Sequence, residues 1–546
     1  MSTGNQNPNS LSIGIDTGGT FTDIVCRIAG EPDRILKVPS TPADPSRAIK
    51  TALTQLAEQH NLSPTRVSQF AHGTTVATNA VLERKGARTG LIMTEGFKDT
   101  LEIGRQIRSA VYELHLDPET PVFLAPGVQR SEVAERISGT GEVLVRLDEE
   151  ALVREAHRLV DQGCESIAIC FLFSFLNPTH EQRAREIIEK SFPDIDISLS
   201  CEVDPMFREY ERCVVTAFDA YTKPVLAGYL ARLTEVLTGL GVPAPLQIMQ
   251  SRGGLSAAKT IAKRPVRLFL SGPAAGVIGG CSVGRAAGAT SLISVDIGGT
   301  SCDIALVNDG QPLVRSEGVI DGFPVRVPMV DVNAIGSGGG SIAWLDSAKG
   351  LRVGPHSAGA EPGPACYARG GDEPTVTDAS VVLGYLDPDN FLAGGLTLDA
   401  SLSRRAIENK IAKPLGMTVE DAALGIHRVI NAQMAEGMRL VSIRQGFDPR
   451  DFALVALGGA GPMHAVALAE DLDMQTVLIP RHPGVLSAEG LLVAPIEHEV
   501  SVGYVKPLSE LAAQDVQSVL DTLDERCAAL MADEALSNPS ITVRYS

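Results

Sequence analysis

Two periodicities run through the chain. Leu11–Asp16 and Ile24–Ile28 are apolar runs on either side of a glycine turn, and they predict strands. Between Pro45 and His60 the apolar positions Ala48, Ile49, Ala52, Leu53, Leu56 and Ala57 fall on one helical face. Asp148–Gln162 repeats that spacing with Leu152, Val153, Ala156, Leu159 and Val160, and Gly163 follows as a helix stop. The unbroken apolar run Ser166–Phe175 predicts a strand buried on both faces. A second α/β region begins near Cys201. In it Ser291–Val295, Ile304–Val307 and Asp451–Leu457 read as strands, and Val419–Gln445 and Asp515–Ala532 as helices. Helices alternating with buried strands indicate a layered α/β fold.

One pattern occurs twice. Residues 15–24 read Ile-Asp-Thr-Gly-Gly-Thr-Phe-Thr-Asp-Ile, and residues 295–304 read Val-Asp-Ile-Gly-Gly-Thr-Ser-Cys-Asp-Ile. Asp, Gly, Gly, Thr, Asp and Ile coincide at an offset of 280. In each copy an aspartate, Asp16 or Asp296, ends a strand. Gly18 and Gly19, like Gly298 and Gly299, are expected to take a positive-φ turn. With no side chains, they leave their amides open to an anion. Thr20, Thr22 and Thr300 add hydroxyls. A carboxylate beside a phosphate cradle needs a cation between them, so Mg²⁺ is expected on Asp16 and Asp296. Two such hairpins facing each other across a cleft would clamp a polyphosphate from both sides, which predicts ATP. The two aspartates are then also the expected catalytic pair.

A third cluster, Gly458, Gly459, Ala460 and Gly461, follows a strand, and Pro462 suits the first turn of a helix. Such a helix start fits an adenosine, although a plain connector would look the same. No Gly-x-x-x-x-Gly-Lys-[Ser/Thr] stretch is present, which excludes a Walker-type site at the level of motif. Gly336-Ser-Gly-Gly-Gly340 loosely resembles a dinucleotide loop.

Composition narrows the class. With 546 residues, 44% of them apolar, the chain can build two to four domains. Its net charge of −19 and the lack of a basic run argue against nucleic acid. Nine scattered cysteines, with no Cys-x-x-Cys pair, predict free thiols in a reducing cytosol rather than a disulfide framework or a cysteine-rich zinc site. The polar start has no basic region ahead of an apolar one, so no signal peptide is expected. The longest apolar stretch, Ile167–Leu176, is too short to span a bilayer. A cytoplasmic protein away from membranes is the expectation.

The three glycine elements resemble the actin, sugar kinase and heat-shock ATPase superfamily. That resemblance implies a duplicated actin-like nucleotide-binding fold with two lobes. From Leu11 onward the text resembles, more narrowly, the A subunit of the hydantoinase/oxoprolinase family. The matching stretches are Gly14-Ile-Asp-Thr-Gly-Gly-Thr-Phe-Thr-Asp23, His72-Gly-Thr-Thr-Val-Ala-Thr-Asn79, Ser271-Gly-Pro-Ala-Ala-Gly276, Gly336-Ser-Gly-Gly-Gly-Ser341, Val353-Gly-Pro-His-Ser-Ala-Gly-Ala-Glu-Pro-Gly-Pro364, Thr377-Asp-Ala379 and Gly458-Gly-Ala-Gly-Pro462.

The resemblance implies ATP-dependent phosphorylation of a carbonyl oxygen on a cyclic amide, whether hydantoin, 5-oxoproline or a lactam. A B-type subunit would complete the reaction in a hetero-oligomer. A ketone carboxylase subunit of the acetone or acetophenone type shares the same ATP site. A non-catalytic ATP-binding regulator or reactivating chaperone is the reading from another class. The implied layout is a disordered tail at 1–10, an N-terminal lobe at 11–200, a lobe with the second phosphate loop and the adenosine loop at 201–500, and the start of a C-terminal region, cut short, at 501–546.

Substrate contacts are harder to read. His72 can carry a proton or make a structural hydrogen bond, and its motif brings Thr74 and Thr75 with it. Arg105, near Glu102 and Arg108, can hold a carbonyl or carboxylate, or can lie on a solvated face. Glu361, in a Pro-Gly loop, and Asp378 are further polar candidates.

Overall fold

The computed structural model describes residues 10–108, 111–114, 119–391, 397–534, 536 and 541–544. The tail expected at 1–10 lies outside the described residues except for Ser10. The chain gathers into two compact units that are not sequential. The first takes Met1–Ser40, Gly272–Val314 and Val330–Ala494; the second takes Thr41–Ser271, Arg315–Met329 and Pro495–Ser546.

In the first unit, strand Leu11–Thr17 turns back into Phe21–Ile28, which pairs with Arg34–Pro39. Helix Leu486–Val493 lies on the first strand so closely that a Cβ at Gly14 would stand 2.2 Å from the Ala488 carbonyl oxygen. Leu292–Ile297 turns back into Cys302–Asn308 in the same way, and that strand pairs with Val332–Ile335. On its other side Leu292–Ile297 runs parallel to Ala453–Leu457. Helices Val419–Arg444 and Gly461–Asp471 bury Ile426, Ile430, Met434 and Leu468 with the strand residues Ile293, Val295 and Leu454 in one apolar core. Twin hairpins and a third glycine turn give the duplicated actin-like α/β arrangement that the sequence predicts.

The second unit holds four parallel strands, in the spatial order Asp196–Leu199, Ser166–Cys170, Thr89–Thr94, Arg130–Val133. Helices Glu149–Asp161 and Thr179–Ser191 pack on them through Leu152, Ala156, Leu159, Ala184 and Ile188. Val67–Thr74 runs parallel to Leu246–Met249, which pairs with Leu255–Ala257.

The amphipathic helix expected from Pro45 to His60 has those same ends, and Asp148 caps the next by accepting from the Ala151 amide at 2.9 Å. The expected strand Ser166–Phe175 is shorter. It stops at Cys170, and Phe171–Leu176 form turns in which Phe173 has φ 56°. An unbroken apolar run cannot mark where a buried strand becomes a buried turn.

Helices Glu209–Gly239 and Ser271–Ala286 carry little amphipathic signal. Glu209–Gly239 is buried at every position from Arg212 to Lys223, so it shows no polar face. Ser271–Ala286 is rich in glycine, which disfavours helix. Close packing accounts for the glycines: a Cβ at Gly279 would meet the Leu486 carbonyl at 2.7 Å. Among the described residues no helix is long and apolar enough to cross a membrane.

Candidate functional site

The two hairpins are built alike atom by atom. The Gly18 amide donates to the Phe21 carbonyl at 3.0 Å, and the Gly298 amide donates to the Ser301 carbonyl at 3.1 Å. Across the strands Asp16 faces Asp23 and Asp296 faces Asp303. Directly opposed side chains on an antiparallel pair share a face at roughly 5 Å, where like charges repel. Each hairpin therefore holds an aspartate pair at the base of its turn, an arrangement with no merit for stability.

Burial is what most strongly perturbs these carboxyls. Asp16 and Asp296 keep partly accessible surfaces, yet the surrounding protein withholds enough water to push both up to about 7. For Asp16 the neighbouring Asp23 adds to the effect and Lys37 opposes it. For Asp296 the contributions after burial come from Asp303, then Asp16, then Asp23. The two hairpins thus lie within electrostatic reach of each other, inside one compact unit. Asp23 and Asp303 are raised too, chiefly by burial. Lys37 pairs with Asp23 across the strands.

The aspartates are tied further by helix Ser271–Ala286. A Cβ at Gly272 would lie 3.6 Å from an Asp16 carboxylate oxygen, and one at Gly276 would lie 3.6 Å from an Asp296 oxygen. Positions four apart sit one above the other on a helix, so one small-residue face lies against both carboxylates. This pair was not among the expected site residues. Its signal was the run Ser271-Gly-Pro-Ala-Ala-Gly276.

The glycines of the turns correct one expectation. Neither Gly18 and Gly19 nor Gly298 and Gly299 takes a positive φ. A Cβ at Gly19 or Gly299 would also meet no protein atom within 4 Å. Neither backbone strain nor packing demands glycine there. What the missing side chains leave is open space at the tip of each turn, which suits close approach by a ligand. The third turn differs. Gly458 does have a positive φ of 81°, and a Cβ there would stand 2.3 Å from an Asp296 oxygen. The Ala460 amide donates to the Ile297 carbonyl at 3.0 Å, and Pro462 begins helix Gly461–Asp471 as expected.

Gly336–Gly340 does not form a separate dinucleotide loop. The Gly339 amide donates to the Gly298 carbonyl at 3.0 Å and the Gly340 amide to the Gly299 carbonyl at 2.6 Å. A Cβ at Gly338 would lie 2.8 Å from the Thr300 backbone. The segment braces the second turn from behind.

Asp16, Asp296, the three glycine turns and Glu361 belong to the first unit; His72, Thr74, Thr75 and Arg105 belong to the second. His72 is buried, with Nε2 2.6 Å from the Tyr229 hydroxyl. That is the partner the sequence did not offer. Thr74 is buried and its carbonyl accepts from Ser271 at 3.0 Å, while Thr75 accepts from the Asn79 amide group at 3.2 Å. Arg105 is exposed and held in a fork by Glu211, at 2.9 and 2.5 Å. Glu361 is exposed. Asp378 is a structural hub: it caps its helix with Thr375 and accepts from the Ala365 and Cys366 amides and from Ser403.

Among the described residues no three His, Cys, Asp or Glu side chains converge as a metal cage. Magnesium needs none: it keeps several waters and takes one or two carboxylates plus phosphate oxygens. Four raised carboxyls with a single lysine among them leave unbalanced negative charge, and the donor set is all oxygen. Such a place fits a hard cation.

Comparison with known proteins gives two family matches and several close relatives. The family model "Hydantoinase/oxoprolinase" matches residues 212–500, and "Hydantoinase/oxoprolinase N-terminal region" matches residues 12–192. The chain is 37% identical to the caprolactamase subunit alpha of Pseudomonas jessenii, over 98% of this chain and 78% of that one. It is 36% identical to the acetophenone carboxylase gamma subunit of Aromatoleum aromaticum, over 96% and 74%. The crystal structure of the ATP-dependent caprolactamase from Pseudomonas jessenii superposes with a TM-score of 0.85 at 36% identity, covering 96% of this chain and 77% of that one.

Proposed function

The chain belongs to the hydantoinase/oxoprolinase family, and on that premise we propose that it is the ATP-binding subunit of an enzyme that opens a cyclic amide. The observation that carries the reading is the pair of matched hairpins, each with an aspartate pair under an open glycine turn, gathered in one unit.

The chemistry explains the need for ATP. A lactam carbonyl is resonance-stabilised and a poor electrophile. Moving the γ-phosphoryl group onto its oxygen gives a carbon that water attacks. Overall, ATP, two waters and the lactam give ADP, phosphate and the ring-opened amino acid. Phosphoryl transfer asks for positioning and charge neutralisation more than for covalent catalysis by the protein. In this reading the amides of Gly19 and Gly299, with the Thr20 and Thr300 hydroxyls, bind phosphate oxygens; the Gly18 and Gly298 amides close their own turns, and the Thr22 hydroxyl is buried 3.0 Å from that of Ser40, which takes these three expected contacts out of the cradle. Gly458, Gly459, Ala460 and Gly461 receive the adenosine. Asp16 and Asp296 hold Mg²⁺ or its waters, and the metal supplies neutralisation of phosphate charge.

Attack on the phosphorylated amide is futile if phosphate leaves before the ring nitrogen does. A second site must control that choice. The relatives are named as subunits, which supports a B-type partner in a hetero-oligomer. Thr74, Thr75, Arg105 and Glu361 are kept as candidate substrate contacts and His72 as a candidate proton carrier.

The carboxylase relative favours a second reading, in which the same site phosphorylates the enol oxygen of a ketone. Magnesium-dependent ATP turnover separates the two. The purified chain, with and without a B-type subunit, is given hydantoins, 5-oxoproline and lactams, or ketones plus bicarbonate. Stimulation by cyclic amides only in the complex is expected. Stimulation by ketone and bicarbonate alone would select the carboxylase, and ring opening at ~1–10³ s⁻¹ by the isolated chain would overturn the need for a partner.

A further inference from the structure

A row of buried polar groups lies inside the first unit, away from the aspartates. Ser380, on helix Val376–Val382, gives its hydroxyl proton to the Val376 carbonyl at 2.9 Å and stands 2.9 Å from His427 Nε2. With that proton committed, the Ser380 oxygen accepts from the imidazole N–H. His427 stacks on His464, with centroids 4.7 Å apart and planes at 17°. His464 Nδ1 lies 2.6 Å from Asn431 Oδ1, an acceptor, so it donates. Both rings are buried. Burial holds His427 down at about 4 and His464 at about 3, which keeps two stacked rings from becoming two stacked cations at neutral pH.

The two ends of this row lead to the glycine turns. Helix Val376–Val382 carries Thr377, whose amide and hydroxyl both donate to the Gly339 carbonyl, at 2.7 and 2.8 Å. Gly339 and Gly340 in turn hold the second hairpin turn. His464 sits on helix Gly461–Asp471, whose preceding turn is bonded through Ala460 to Ile297, at the root of the same hairpin. The links close a circuit: second turn, glycine segment, Thr377 helix, His427, His464, third turn, second turn.

We propose that this closed circuit is a positioning brace that fixes the spacing of the second and third glycine turns, and that Ser380, His427 and His464 thereby set nucleotide affinity. The proposal rests on the ATP-site reading for its second half only. The ring stack is the one link with no hydrogen bond, so it is the place to cut. Amide protection is a cooperative readout of local structure, and it needs no nucleotide.

The experiment compares the full chain with Ser380→Ala, Ser380→Thr, His427→Leu and the Ser380→Ala/His427→Leu double variant. Met438→Ala, a core cut on helix Val419–Arg444, which also carries His427, lies outside the circuit and serves as control. Hydrogen exchange at Gly339, Gly340, Gly458 and Ala460 is read first, then titration with Mg·ATP. Both single cuts should speed exchange at all four amides by roughly 10-fold. They should weaken Mg·ATP binding by about 5–10-fold, and the double variant should be no worse than either, because an open ring cannot be opened twice. Ser380→Thr should behave as wild type, and Met438→Ala should leave both readouts in place at a matched loss of thermal stability. Unchanged exchange in folded Ser380→Ala and His427→Leu overturns the brace, as does equal loss in Met438→Ala. If wild type binds no Mg·ATP while the exchange pattern holds, the brace stands and the ATP reading fails.

Discussion

The two hairpins share sequence, register and turn bond, yet they are held in different ways. In the first, the third strand places Lys37 opposite Asp23, and that lysine pairs with the carboxylate. In the second, the equivalent strand places Ala334 opposite Asp303. The first turn is fastened by one residue, Ser40, whose hydroxyl donates to the Gly18 carbonyl at 2.7 Å and lies 3.0 Å from the Thr22 hydroxyl, and whose amide donates to the Thr20 carbonyl at 2.9 Å. The second is fastened by backbone, through the amides of Gly339 and Gly340. Duplication preserved the part that would meet a ligand and let the supports diverge. One hairpin carries its own counter-charge and a replaceable latch. The other carries unbalanced charge and a rigid brace that tolerates no side chain.

The largest expected effect tests whether the shared part is the working part. Asp296→Asn or Asp16→Asn should lower phosphoryl transfer in the active complex by about 10²–10³-fold, with a much smaller change in nucleotide affinity. Turnover within a factor of two of wild type for either variant would remove that aspartate from the mechanism.

The charge imbalance makes a second, signed prediction. A carboxyl raised above its ordinary value holds a proton in the native state that the unfolded chain releases. Its stabilising contribution is complete below about pH 4 and is lost as pH rises through 7. His427 and His464 act the opposite way over part of that range: their contribution is present above about pH 6.5 and is lost as pH falls toward 4. Wild-type stability therefore shows the two effects superposed, and the difference between proteins is the clean measure. Without Mg²⁺, Asp296→Asn should gain on wild type by up to about 4 kcal/mol between pH 4 and pH 8 in chemical denaturation. A difference independent of pH would mean that Asp296 is ionised throughout.

How far the sequence reaches is clear from these same elements. The hairpins were legible because a repeated motif needs only identity at a fixed offset, and the amphipathic helix Pro45–His60 because its apolar face has a period. The supports were not. Lys37 and Ser40 are ordinary residues whose meaning comes from cross-strand register. Gly338–Gly340 looked like a ligand loop because any close backbone approach selects glycine, whether the neighbour is a phosphate or another strand. Gly272 and Gly276 have low helix propensity, which hides a helix whose face lies against both aspartates. The positive φ expected at Gly18 and Gly19 failed for a related reason: glycine can also mark empty space, which no local rule distinguishes from strain.

That distinction separates the glycines experimentally. Gly19→Ala and Gly299→Ala add a methyl group into open space, so stability should change by no more than about 1 kcal/mol. Nucleotide affinity should nevertheless fall by about 10-fold or more, since the methyl group occupies the ligand's side of the turn. Gly338→Ala should show the reverse order, with stability falling first because its methyl group meets the Thr300 backbone at 2.8 Å. Thermal unfolding and Mg·ATP titration of all three check this; unaltered affinity in the first two would mean that the open tips face solvent only.

The smallest expected effect is at the latch. Ser40→Ala removes a neutral hydrogen bond to the Gly18 carbonyl and the Ser40–Thr22 hydroxyl contact, in a partly exposed place. Such bonds contribute about 1 kcal/mol each, and the Gly18 carbonyl can turn to water instead. The backbone bond from the Ser40 amide to the Thr20 carbonyl, 2.9 Å, survives the change and keeps the strand end in place. Affinity for Mg·ATP should therefore fall by only about 2–5-fold, with turnover nearly intact and with Ser40→Thr restoring the loss. The value of so small an effect is its contrast with the second hairpin, whose turn carbonyls are bonded by the Gly339 and Gly340 amides and not by a side chain of the neighbouring strand. A loss in Ser40→Ala as deep as that in Asp16→Asn would show that the hydroxyl takes part in the chemistry, and the division between a conserved working face and interchangeable supports would fail at the first hairpin.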